Sequence, residues 1–429
     1  MTEYLEGFGT LRGIATVLLL VLVGGALIAL IARKVTSAKI APMILAAVVF
    51  DVGVLLAIVT VLKVLSGDAN TWHSLASEAG AYLNGEIGEA VTYVGGKEGY
   101  IWILGGVYAF AGPVPMVGMT LGILFHLAVV VAVAKSTELL LESDSVGGAG
   151  GATAVRRAAL LAAVLPAIVW WSPQLLRESL TMMLYACVLC FVLLALVRKK
   201  FWPLIVVGLA IGVLTWVRSS LGLILAVATF AVLVYIVAGR SRYHLFFRLI
   251  LFVGVGSIFP VLQGTLAGTL NVSESFIVDT TAELSVTASS GFPGLGFGLG
   301  IAQVLSITVP RVLIGPFVWE VDASAVMLLA FMELLCWVLV VILSLRSAKY
   351  FRKRGALSDS RWLVPAILVM TAIVLIGLTI VVGNYGILAR FRPVATVLLL
   401  PLAGIGATRI GLLRPVHRVL TGKIAGSKA

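Results

Sequence analysis

Apolar residues in this chain fall into long unbroken runs separated by short polar punctuation, the pattern of helices that cross a bilayer. A hydrocarbon core of ~30 Å takes about 20 apolar residues per helix. Runs of that kind occupy residues 13–32, 41–65, 116–137, 157–172, 179–197, 202–217, 219–238, 247–266, 324–345, 362–383 and 393–409. The expected fold is therefore all-α: a single polytopic membrane domain over residues 1–429 with about eleven transmembrane helices. The first run is followed by Arg33 and Lys34 rather than by small residues, so it reads as a span and not as a cleavable signal.

Composition agrees. The chain is 61% hydrophobic and only 12% charged, with a mean hydropathy of +1.13, where soluble domains carry about a quarter charged residues. A net charge of +12 does not point to nucleic acid, because the basic residues lie between apolar runs and not on one solvated face. Cys187, Cys190 and Cys336 all sit inside apolar runs, which suits packing and not a disulfide framework or a zinc site.

Charge also sets the expected orientation. With the amino terminus outside, most of the 31 basic residues fall in inner loops, among them Arg33, Lys34, Lys39, Arg198, Lys199, Lys200, Arg346, Arg352, Lys353 and Arg354. The exceptions are Arg12, Lys63, Lys97, Arg177, Arg218, Arg311, Arg390 and Arg392. By the positive-inside rule the carboxyl terminus is cytoplasmic and the protein belongs to the cell (plasma or inner) membrane. Two long segments then face outward, 66–115 and 267–323. In the first, residues 99–112 are apolar but too short to span and are closed by Gly112 and Pro113, so a juxtamembrane helix is expected. In the second, the glycines and Pro293 of 289–300 favour a loop.

The outer side carries the candidate chemistry. Asp68 follows the second span in "LSGDANTWHSLA", putting a carboxylate at the membrane surface beside Trp72, which suits an interfacial anchor, and His73, placed to orient it or to titrate near neutrality. Arg177 and Glu178 stand in "WWSPQLLRESL", Arg218 in "TWVRSSLG", and Arg390 and Arg392 in "NYGILARFRP" with Asn384 and Tyr385. Four guanidiniums at one boundary, on the side that disfavours positive charge, ask for an anion. Arginine's planar fork of donors suits phosphate. Asp51 and Glu333 lie inside spans, where ionisable groups are rare; structural hydrogen bonding is the role expected of both.

Three of these stretches carry a family resemblance. "GDANTWHSLA" with "KEGYIWILGGVYAFAG", "PAIVWWSPQLLRESLTMML" and "NYGILARFRPVATVLLLPLAG" occur in the order found in the GT-C superfamily of integral membrane glycosyltransferases. The chain most resembles the bacterial protein-mannosyltransferase-like and aminoarabinose-transferase-like group, over about residues 41 to 410. The resemblance implies Asp68 as catalytic base. His73, Arg177, Glu178, Arg218, Asn384, Tyr385, Arg390 and Arg392 would line the site for a polyprenyl-phosphate-linked sugar, with a glycan, lipid or protein as acceptor. The chain departs from the group in an additional first span before the acidic loop and in showing no large soluble outer domain.

That chemistry suits the residues. A sugar leaving polyprenyl phosphate needs negative charge stabilised on the leaving oxygen, which arginines provide, and an acceptor hydroxyl deprotonated by a carboxylate. The outer carboxylates offer ligands for a divalent cation, but no spacing identifies a metal site. Two other functions use the same arginines: O-antigen-polymerase-like joining of lipid-pyrophosphate glycans, and a flippase or transporter for a lipid-linked sugar, which Asp51 and Glu333 favour.

Overall fold

The structure, a computed structural model, describes residues 11–62, 67–89, 98–143, 149–239, 309–321, 325–353, 360–382 and 385–408. The expected span at 247–266, the glycine-rich stretch 289–300 and Asn384 lie outside the described residues. Those described form helices and turns, with no strand among them.

The first span is α1 (Leu11–Leu19) and α2 (Gly25–Val35), joined without a break through a π-helical turn; the second is α3 (Ala41–Ala57), which also ends in a π-helical turn. Two shorter helices follow, α4 (Gly67–Leu83) and α5 (Glu98–Ala111). The long α6 (Pro115–Ser143) is succeeded by α7 (Ala149–Val164), the one-turn α8 (Pro166–Val169), α9 (Glu178–Arg198), α10 (Trp202–Val217) and α11 (Ser219–Gly239). The last part comprises α12 (Val309–Ile314), α13 (Ala325–Lys353), α14 (Ser360–Val381) and α15 (Tyr385–Ala407). Among the described residues, eight helical segments are long and apolar enough to cross a membrane, and α10 is a shorter apolar helix. The chain is thus a multi-pass helical membrane protein.

The helix α15 is the central post: 83% of its most apolar window is buried, against 11% for the first span at the edge of the bundle. It packs on α13, α7, α14, α9 and α6. Lipid tails are as apolar as leucine, so helices in a bilayer gain little from burying leucine and associate through close contact at small residues. Gly406 shows this: a Cβ there would lie 2.0 Å from the carbonyl oxygen of Leu343 on α13. Large side chains left on the outside, such as Leu45, Leu209, Phe230 and Leu335, coat the periphery with apolar surface, as a lipid-facing wall requires.

Many polar side chains inside the bundle find a partner within it, although single oxygens of Asp51, Glu178 and Glu333 do not. Ser136 and Thr137 donate to the carbonyls four residues earlier at 2.8 Å. Pro166 has no N–H for the carbonyl of Ala162, the residue four before it, and pushes Leu165 into an extended conformation that separates α7 from α8. His126 of α6 takes that carbonyl instead: its Nε2 donates to Ala162 at 2.8 Å, and its Nδ1 lies 2.7 Å from Asp51 Oδ2 on α3. Since a carbonyl only accepts, Nε2 carries hydrogen and the Nδ1–Asp51 contact shares one proton, leaving this fully buried pair neutral overall. The hydrogen-bonding role expected of Asp51 thus has a named partner.

Contacts between helix ends fix which termini lie together. The backbone N–H of Ser37 donates to Glu138 at 2.9 Å, Arg198 pairs with Glu142 at 2.8 Å and Arg157 donates to the carbonyl of Ala407. This is the Glu138 end. The opposite end, where α4 and α5 sit, gathers the turn before α9, the α10–α11 junction and the start of α15.

Candidate functional site

At the Asp68 end the chain brings together residues from five segments. Asp68 lies in the first turn of α4, where a carboxylate suits the positive end of the helix dipole. Trp72, one turn on, shares its face. The tryptophan is not an exposed interfacial anchor, as its sequence context suggested. It is buried, meets Tyr100 of α5 edge-on at 6.0 Å, and carries the Arg177 guanidinium 4.3 Å above its ring.

Arg177 ends the turn that follows α8, and it donates to the carbonyl of Val217 at 3.2 Å. That turn is pressed against α6: a Cβ on Gly122 would come within 2.2 Å of the Ser172 carbonyl oxygen. Glu178 opens α9 and receives Arg218 at 3.4 Å, while one of its carboxylate oxygens is buried without a partner. Arg218 stands at the junction of α10 and α11, its guanidinium 4.0 Å above the Phe391 ring of α15. Burial draws the Arg218 pKa below its ordinary value, countered by Glu178; Arg390 pulls the same way as burial and Asp68 opposes it. These groups feel one another's charge.

Arg390, in the second turn of α15, closes the ring by pairing with Asp68. It lies 5.4 Å from the Trp171 ring, and Trp171 Nε1 donates to the carbonyl of Ala389 at 2.9 Å. The site is thus three guanidiniums and two carboxylates among Trp72, Trp171 and Phe391. The site holds fork donors suited to a phosphate, Arg390 being the most exposed of the three, while the rings are buried beneath and beside the guanidiniums.

Two expected members point elsewhere. Arg392 is completely buried on another side of α15. It pairs with Glu333 of α13 at 2.6 Å and donates to the carbonyls of Arg311, Val312 and Gly315. Two residues are ~200° around a helix, so Arg390 and Arg392 cannot share a target; the arginine set is three and not four. His73 is ~140° from Asp68 by the same geometry, and its Nδ1 lies 3.0 Å from the Tyr108 hydroxyl. It braces α4 on α5 and does not orient Asp68.

Tyr385 donates to Glu320, which also binds Arg311 at 2.6 Å and accepts from the Phe317 N–H at 3.0 Å. Desolvation raises the Glu320 carboxyl, but the bonds from Tyr385, Phe317 and Arg311 outweigh it and hold the pKa below the usual 4.5. This cluster fastens the segment 309–321 to the start of α15.

Sequence reasoning overlooked Trp171, Phe391 and His126. Phe391 stands between two flagged arginines, Trp171 lies in the flagged stretch "WWSPQLLRESL", and His126 is an ionisable residue inside a span, itself a signal. Among the described residues no group of three or more His, Cys, Asp or Glu side chains converges on one point. Comparison of the chain with protein-family models, curated proteins and solved structures finds no match in any of the three.

Proposed function

We propose that this protein is a membrane glycosyltransferase that takes a sugar from a polyprenyl-phosphate-linked donor and gives it to an acceptor on the extracytoplasmic face, in the manner of the GT-C group it resembles. The observation that carries this reading is the convergence of Asp68, Arg177, Arg218 and Arg390 from separate helices at one end of an apolar bundle. An isoprenoid tail stays in the bilayer while its phosphate rests where the helices end, at the level of these guanidiniums.

In this reaction the acceptor hydroxyl gives its proton to Asp68 as its oxygen bonds to the anomeric carbon. The bond from that carbon to the phosphate oxygen breaks, and the electron pair leaves on the polyprenyl phosphate. Arg177 and Arg218 face the growing charge on the leaving oxygen, where preorganised donors are worth most. Glu178 holds Arg218 in place.

The test is sugar transfer from a polyprenyl-phosphate sugar by the purified protein in lipid. Release of free polyprenyl phosphate with a glycosylated product is expected, and an Arg218→Ala variant should fall by about 10²-fold or more in turnover, the usual loss for one transition-state donor. No transfer from any such donor refutes the proposal. With lipid-pyrophosphate-linked glycans supplied in place of such donors, a ladder of repeat units would instead identify a polymerase. A second reading, a flippase for the same lipid, draws on the buried Asp51–His126 and Glu333–Arg392 pairs; it predicts labelled lipid recovered intact on the other leaflet.

A further inference from the structure

The pairing of Asp68 with Arg390 sets a difficulty for the proposed chemistry. A carboxylate oxygen taken up by a guanidinium is not open to an incoming acceptor hydroxyl. The three arginines also differ in how firmly they are held. Arg177 is buried over Trp72 with a backbone carbonyl as acceptor, and Arg218 is wedged between Phe391 and Glu178. Arg390 is the looser one: its side chain is 28% exposed, and that of its partner Asp68 is 57% exposed.

We infer that Arg390 changes partners during the cycle, holding Asp68 when the site is empty and the donor's phosphate when it is filled, so that donor binding is what releases Asp68 to act as base. This rests on the reading of the site as one for a polyprenyl-phosphate sugar. Exposed ion pairs are weak, whereas a phosphate offers Arg390 a bidentate partner already drawn in by Arg177 and Arg218. The exchange therefore favours the ligand. It imposes an order as well, donor before acceptor, and keeps the base occupied while no donor is present, when the acceptor hydroxyl has nothing to attack.

The exchange makes a prediction of unusual sign: removing the proposed catalytic carboxylate tightens phosphate binding. Binding of a short-chain polyprenyl phosphate to the full chain in nanodiscs is measured for wild type, Asp68→Asn, Arg390→Gln and the double variant. Asp68→Asn is expected to bind about two- to fivefold more tightly, the gain from relieving an exposed ion pair, and to show no such gain when Arg390 is already Gln.

An Asp68→Asn protein that binds no more tightly than wild type overturns the exchange. So does a gain of equal size in the Arg390→Gln background, because the carboxylate then acts by plain repulsion and not through Arg390. If wild type binds no polyprenyl phosphate at all, it is the underlying reading of the site that fails. Each variant's thermal transition is recorded alongside, and Asp68→Ser takes the place of Asp68→Asn should the latter not fold.

Discussion

Residues separated by two positions in this chain do unrelated work. Arg390 faces the site, and Arg392 is buried against Glu333 and three carbonyls. A buried charge that loses its partner is left uncompensated, so Glu333→Leu or Arg392→Met alone should destabilise the protein by about 3–5 kcal/mol, while the two together should restore most of it. Thermal denaturation of the four proteins in one detergent checks this. Glu320 supplies a pH signature. Its folded pKa is depressed, so its contribution is fully present above the ordinary value of 4.5 and is lost as pH falls through the lower folded value. The gap in melting temperature between wild type and Glu320→Gln should be flat near neutrality and shrink below about pH 4.5.

Sequence alone gave Asp68, Arg177, Glu178, Arg218 and Arg390 because charges at the ends of apolar runs stand out. It grouped Arg392 with them because the last helix was read as starting at Pro393. The helix starts instead at Tyr385, so both arginines obey helical periodicity, which separates them. The same periodicity, applied to α4, separates His73 from Asp68 and joins Trp72 to it.

At the scale of elements, the site depends on how tightly the turn before α9 sits on α6. Gly122 marks the contact. A methyl there must displace the Ser172 carbonyl, moving the turn that ends in Arg177, so Gly122→Ala should cost about 1–3 kcal/mol, the range for overpacking. Sugar transfer should fall by more than the loss of folded protein accounts for, as seen by comparing rate per folded molecule. The break at Pro166 falls inside 157–172, which the apolar pattern presents as one span, and residue 126 gives no hint that its imidazole takes the stranded carbonyl. That pairing joins segments 36 residues apart, which local pattern does not reach. The extent of the short α5, ended by Gly112 at positive φ, was legible from the length of the apolar run and its closing glycine and proline.

For the molecule as a whole, multi-pass helical architecture followed directly from the lengths of the apolar runs. Which helix stands in the middle did not, because a run buried by protein and one buried by lipid look alike in sequence. The proposed orientation is open to a direct check. Glu78, exposed on α4, and Lys34, exposed at the end of the first span, lie towards opposite ends of the bundle. A membrane-impermeant maleimide should label Glu78→Cys on intact cells and Lys34→Cys only after permeabilisation; the reverse pattern would put the site on the cytoplasmic leaflet.

The middle position of α15 ties durability to work in a single piece of chain. One flank is clamped by Glu333 and by the close approach at Gly406, while another presents Arg390 to Asp68. A helix so gripped cannot rotate or slide to accommodate a disturbance, so harm done at its far end is delivered to the guanidinium at its near end. Changes that loosen Gly406, about 24 Å along the helix from Arg390 at ~1.5 Å per residue, are therefore expected to weaken binding of the proposed polyprenyl phosphate.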